Sequence, residues 1–130
     1  MKQSAEVIKK WVDIISDDYM HYTDEQKKYV CKLASVIDFE IIDNDIGVIG
    51  WATMRDFDCK IKTNVLILYC KPEYRGNKFI PMLRRLENIA RSEGAEKIII
   101  GNSISGYKSK IFDLIIKRNG YSNNGYLKGL

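Results

Sequence analysis

Histidine occurs once in this 130-residue chain, as His21, and proline only twice. A single imidazole excludes a histidine-rich metal centre. The three cysteines, Cys31, Cys59 and Cys70, are odd in number, widely spaced, and form no Cys-x-x-Cys pair. That pattern excludes a disulfide framework and a zinc ribbon, and it fits a reducing compartment. Nine glycines and two prolines are too few for a collagen-like or low-complexity chain. No apolar run approaches the ~18 residues of a membrane span, and the opening MKQSAEVIKKWVD lacks the apolar core of a signal peptide. The expectation is a cytoplasmic domain without a membrane partner and without a metal.

What is present suits one packed unit over residues 1–130: 45% of the residues are hydrophobic and 29% charged. The charge is polarised. Residues 1–45 hold 6 basic and 10 acidic side chains, a net of −4, whereas residues 46–130 hold 15 and 7, a net of +8. Such a split suggests an acidic face and a basic face, although solvated helix surfaces would produce it too.

Residues 4–17 space Val7, Ile8, Trp11, Ile14 and Ile15 as an amphipathic helix behind a Ser4 cap. An acidic loop, Asp17–Tyr22, precedes Thr23-Asp24-Glu25-Gln26, a capping box that opens a second helix to about Ser35. Val36–Asp43 alternates with Ile37, Phe39 and Ile41 on one side, Asp43-Asn44-Asp45 supplies a turn, and Ile46–Arg55 returns. Val65–Cys70 is apolar on both faces and reads as a central strand. A polar loop, Lys71–Lys78, feeds a helix from about Ile80 to Glu93, with Pro81 in its first turn and Gly94 as the stop. Lys97–Ile100 is another buried strand, Ser109 caps a helix to Arg118, and Tyr121–Leu130 forms one or two short strands. The order α-α-β-β-β-α-β-α-β(β) defines a mixed α/β sheet with a strand–helix–strand unit at its centre.

That central unit carries the chemistry. A buried strand running into a turn with Arg75 and Gly76, and then into a helix start, is an anion site in outline. Gly76 admits a bulky phosphate close to the backbone, and Lys71, Arg75 and Lys78 are three cations nearby. The same pattern also describes an ordinary strand–loop–helix with a basic surface.

The residue order Leu68-Tyr69-Cys70-Lys71-Pro72-Glu73-Tyr74-Arg75-Gly76-Asn77 resembles the central motif of the Gcn5-related N-acetyltransferase (GNAT) superfamily. The downstream ENIARSEGAEKIII and the tail KIFDLIIKRNGYSNNGYLKGL, with Gly120-Tyr121, extend the resemblance over residues 36–130. The two preceding helices fit as well, but no first strand precedes them. The resemblance implies acetyl-CoA as co-substrate and an amine- or lysine-bearing acceptor. It implies a pantetheine arm along Leu68, Tyr69 and Cys70, and a pyrophosphate at Arg75, Gly76, Asn77, Lys78, Phe79 and Ile80. It also implies a cofactor contact from Ser109.

Three departures accompany it. Lys78 and Ile80 stand where the family has small residues, Pro81 removes an N–H, and Ile116 stands where a Tyr commonly protonates the departing thiolate. Tyr107 is then the substitute acid, and His21, in a loop that commonly walls the acceptor site, is the other catalytic candidate. Asp17, Asp18, Asp24 and Glu25 around His21 suit a cationic amine. Glu40 is a base only if it faces the cleft, and Cys70 has no basic partner in sequence. Two functions follow. One is an N-acetyltransferase acting by direct transfer. The other is a GNAT-fold binding protein of weak or no activity that uses a protein or nucleic-acid partner, although no nucleic-acid-reading motif is present. A homodimer stays open.

Overall fold

The caps read from sequence set the first two helices. Ser4 accepts the Val7 amide and starts α1 (Ala5–Ile15). The Thr23 hydroxyl accepts the Gln26 amide while the Gln26 side chain accepts the Thr23 amide, and this box starts α2 (Asp24–Ala34). The structure is a computed structural model describing residues 3–104, 109–122 and 127–130. Its further elements are β1 (Asp38–Ile42), β2 (Gly47–Arg55), β3 (Ile61–Cys70), α3 (Arg75–Ser92), β4 (Lys97–Ile104), α4 (Ser109–Arg118) and β5 (Leu127–Gly129).

The five strands form one sheet in the order β1-β2-β3-β4-β5. Only the β3–β4 pair is parallel, as the α3 crossover between them requires. β1 is an edge strand, so the sheet begins without a strand ahead of the two helices among the described residues. Alternation along the strands sends side chains into two cores. Ile49, Trp51, Leu68 and Cys70 pack with Phe79, Met82, Leu83 and Leu86 of α3. Val48, Ile67, Tyr69 and Phe39 pack with Ile8, Trp11, Val12 and Ile15 of α1. A strand buried on both faces is what the VLILYC run predicts. No helix among the described residues is long and apolar enough to cross a membrane.

Several boundaries differ from the sequence reading. The acidic loop is a π-helical turn, Ser16–Met20, which His21 closes in the left-handed region at φ 50° with its amide on the Ser16 carbonyl. β3 begins at Ile61 rather than Val65, because a tight turn at Asp56–Lys60 pairs it with the whole of β2. β4 runs on to Ile104, and one strand, Leu127–Gly129, represents the tail. Ser109 is the first residue of α4 rather than its cap.

The largest correction concerns α3. A 3-10 turn, Pro72–Tyr74, leads straight into the helix at Arg75, and Pro81 lies inside it. With no glycine at 78 or 80 to hold a loop open, the segment from Arg75 onward winds into helix. Phe79 then anchors that first stretch in the core, edge-on to Phe112 at 6.0 Å. Gly94, at φ +80°, ends the helix as predicted.

Candidate functional site

The end of β3 sets the site. Opposite Leu66 the ladder to β2 shifts register between Gly50 and Trp51, and Leu66 itself is 47% exposed. On the other side Val65 pairs with Ile100 but Ile67 with Ile104, so three residues of β4 stand against one of β3. Beyond that point Leu68, Tyr69 and Cys70 pair with β2 and, among the described residues, not with β4. The bulge shifts the register of two parallel strands, and among the described residues the backbone of Leu68–Cys70 has a strand partner on the β2 side alone. This is the stretch that the sequence reading assigns to the pantetheine arm.

One turn of chain separates that strand end from the start of α3. No side chain caps this helix, and the Arg75 amide bonds to the Pro72 carbonyl. The amides of Gly76 and Asn77 are the ones that helix geometry leaves without an i−4 acceptor. A Cβ built on Gly76 meets nothing within 4 Å, and both Gly76 and Asn77 are exposed. A groove of about 280 Å³ lies there, lined by Arg75, Gly76, Phe79, Ile80 and Ile115 of α4. Its lining is mainly apolar, with the positive end of the helix dipole at one rim.

Arg75 does not stand free over the helix start. Its Nε donates to the Cys70 carbonyl at 2.9 Å, and its Nη2 pairs with Asp18 of the π-helical turn. Asp18 also accepts the Tyr69 hydroxyl at 2.8 Å. The Tyr69 ring stacks on Tyr19 at 6.3 Å, meets Trp11 edge-on at 6.4 Å, and carries the Arg75 guanidinium 5.5 Å from its centre. Arg75 therefore ties together the last carbonyl of β3, the first turn of α3 and the turn between α1 and α2. Burial, reinforced by the Asp18 carboxylate, raises the Tyr69 phenol well above its ordinary range, so it stays protonated.

The remaining candidates divide. Lys71 lies over the Trp11 ring at 5.4 Å, and Lys78 lines a different groove with Pro81 and Arg85, so the three expected cations do not converge. Phe79 is buried in the core, and Ile80 is 39% exposed at the groove. Both, like Lys78, lie beyond the helix's first three residues, where amides enter the helical ladder and are no longer free donors. His21 is exposed. Glu40 is taken by a two-bond fork with Arg85, at 2.8 and 2.7 Å, which leaves it no role as a base. Burial pushes the Cys70 thiol up to about 11, which makes it inert at neutral pH. Ile116 is fully buried in the α3-side core. Tyr107 lies outside the described residues, and Ser109 is described only as part of α4.

Sequence reasoning missed Asp18 as the partner of Arg75. The two are 57 positions apart, and no periodicity links an acid after the first helix to a residue at the start of α3.

No protein-family model matches this chain, and no curated protein matches it either. Solved structures do match over nearly the whole length. An acetyltransferase from Trypanosoma brucei superposes with a TM-score of 0.64 at 12% identity, covering 95% of this chain and 92% of that one. A protein assigned to the GNAT family of acetyltransferases, from Desulfovibrio desulfuricans, superposes with a TM-score of 0.62 at 13% identity, covering 94% and 80%. A mixed α/β sheet whose one parallel pair is interrupted by a bulge is thus the class that the described backbone defines. Within it, the chain has a GNAT-like fold.

Proposed function

We propose that this chain is an acetyl-CoA-dependent N-acetyltransferase that moves an acetyl group to a primary amine, either a small amine or a protein lysine, by direct transfer. The observation that carries the reading is the register shift between β3 and β4 ahead of Leu68–Cys70, one turn of chain from the exposed helix start at Gly76 and Asn77. Bound acetyl-CoA would supply an activated acyl thioester. Leu68–Cys70 would hold its amide-bearing arm as a further strand would, and Gly76 and Asn77 would receive its pyrophosphate at the helix start. Arg75 acts as a positioning residue. It holds the end of β3 and the helix start in one geometry through Cys70 and Asp18.

A backbone N–H near Tyr69–Cys70 would stabilise the developing oxyanion, a donor typically worth ~2.7–4 kcal/mol. Ile116 offers no proton, and general acid catalysis typically contributes ~10²–10⁴-fold. A thiolate leaves tolerably well unprotonated, so the reading is slow transfer with water or Tyr107 as proton source. For the acceptor, Asp13 is paired with Lys9 and Lys27, and Asp18 with Arg75. Steering of a cationic amine therefore falls to the exposed Asp17, Asp24 and Glu25.

The test is release of free thiol from acetyl-CoA across a panel of cationic, neutral and anionic amines. The expected result is slow turnover with cationic amines. It should weaken with added salt, as the screening length falls from ~10 Å at 0.1 M to ~3 Å at 1 M. The burial of Ile116 favours a second reading, a binding module that keeps the fold and lacks the chemistry. Acetyl-CoA binding without thiol release for any amine would select that reading, with the basic half of the chain meeting an acidic protein or nucleic-acid partner.

A further inference from the structure

Lys78 faces away from the groove at Gly76. It lines a separate cavity of about 230 Å³ between α3 and the β1–β2 hairpin, together with Glu40, Ile41, Ile42, Asp43, Ile46, Pro81 and Arg85. Three properties distinguish this cavity. Its floor is hydrocarbon, since Ile42 and Ile46 pack against the α3-side core and Pro81 closes the helix side. Its walls are bridged by side-chain and backbone contacts. Glu40 and Arg85 form a two-bond fork, and the turn beside them is tied down by Lys10 on Asp45 at 2.7 Å and by the Lys71 amide on the Ile46 carbonyl at 2.9 Å.

The third property is charge. Lys78 and Asp43 both line the cavity. Among the described residues neither has an ion pair or hydrogen-bond partner, and they are not paired with each other. Other flexible charges nearby have found partners: Lys10 holds Asp45, and Arg85 holds Glu40. An unpaired ammonium on α3 and an unpaired, exposed carboxylate on the β1–β2 turn, set around an apolar floor, form a complementary pair of contacts for a molecule that carries both charges. Drug-sized ligands occupy ~300–1,000 Å³, so this smaller space suits one small metabolite.

We propose that this cavity binds a free α-amino acid with an aliphatic side chain. Its carboxylate meets Lys78, its ammonium meets Asp43, and its hydrocarbon lies on Ile42, Ile46 and Pro81. The site is distinct from the end of β3 and does not depend on acetyl-CoA binding there. Its position against the second and third turns of α3 places it on the helix whose first turn bears Gly76.

The test is an amide-resolved NMR titration of the full chain with three probes of one length: L-norvaline, pentanoate and butylamine. The expected result is saturable shifts for norvaline at residues 42–46 and 78–82, and weaker effects of both single-charge probes at the same amides. Lys78→Gln and Asp43→Asn should each weaken norvaline binding about tenfold or more, the effect of removing one charge-assisted contact. Asparagine tolerates the φ of +32° at position 43, so that variant leaves the turn intact. Absence of norvaline shifts at these amides at millimolar concentration would overturn the proposal. So would equal binding of pentanoate, or norvaline binding indifferent to both variants. Adding acetyl-CoA to the same sample reads the Gly76 and Asn77 amides separately, so failure at one site is not mistaken for failure at the other.

Discussion

Arg75 is the residue whose role changed most between sequence and structure. The motif places it correctly, at the join of strand and helix. Its side chain, however, bonds inward to Cys70 and Asp18 rather than outward to a phosphate. Order along the chain carries the first fact, and only packing across the sheet carries the second. Ile116 is the converse case. Its identity already excluded an acid at that position, and its complete burial explains why the chain keeps an apolar side chain there. The cysteines provide a direct check of local burial. Cys59 is exposed in the Asp56–Lys60 turn, Cys31 is half-buried, and Cys70 is enclosed with its thiol raised to about 11. A maleimide at neutral pH should label Cys59 promptly in the native protein and Cys70 only after denaturation, as read by mass spectrometry of the digested chain. Rapid native labelling of Cys70 would show that the end of β3 is open on its side-chain face.

At the scale of elements, α3 carries both the groove at Gly76 and the cavity at Lys78. The sequence places its end well, because Gly94 is a positional signal, and its start poorly. Pro81 reads as a first-turn proline, yet it stands inside the helix, where it costs one i→i−4 bond. Phe79 and Met82 in the core outweigh that loss. The far side of α3 is held by Glu87, 2% exposed, which accepts Arg84 at 2.7 Å, Lys128 of β5 at 2.8 Å and the Tyr121 hydroxyl at 2.9 Å. Burial alone would raise this carboxyl. The three donors outweigh burial and hold it below the ordinary glutamate value. A depressed native pKa contributes stability above the unfolded-state value, ~4.3, and that stability disappears as pH falls through the lower native value. Glu87→Gln should therefore lose about 1.5–3 kcal/mol in urea unfolding at pH 7. The gap between variant and wild type should narrow in acid, below about pH 4. A gap that stays constant from neutral pH into acid would contradict the assignment.

For the whole molecule, the strand–helix–strand order and the doubly buried VLILYC run made the fold legible. So did the caps at Ser4 and Thr23, since each is a local signal. For the candidate site, order along the chain predicts backbone placement alone: Leu68–Cys70 fall at the end of β3 and Gly76 in the first turn of α3. Side-chain destinations were not legible. Lys78 lines another cavity and Asp18 pairs with Tyr69 and Arg75, because both depend on which helix face meets which strand. Of the acids in the first third of the chain, Asp13, Asp45 and Asp18 are neutralised in pairs with Lys9, Lys10 and Arg75. The central claim is the proposal that the end of β3 and the helix start at Gly76 together form an acetyl-CoA site. Calorimetric titration of acetyl-CoA into the wild-type chain and into Gly76→Asp tests it most directly. The new carboxylate enters open space at a helix N-terminus, where it favours the fold and repels a pyrophosphate. The account predicts saturable heat for the wild type, and binding weakened at least about tenfold in a variant of unchanged or higher melting temperature. No heat with the wild type, or equal affinity in both proteins, would contradict it.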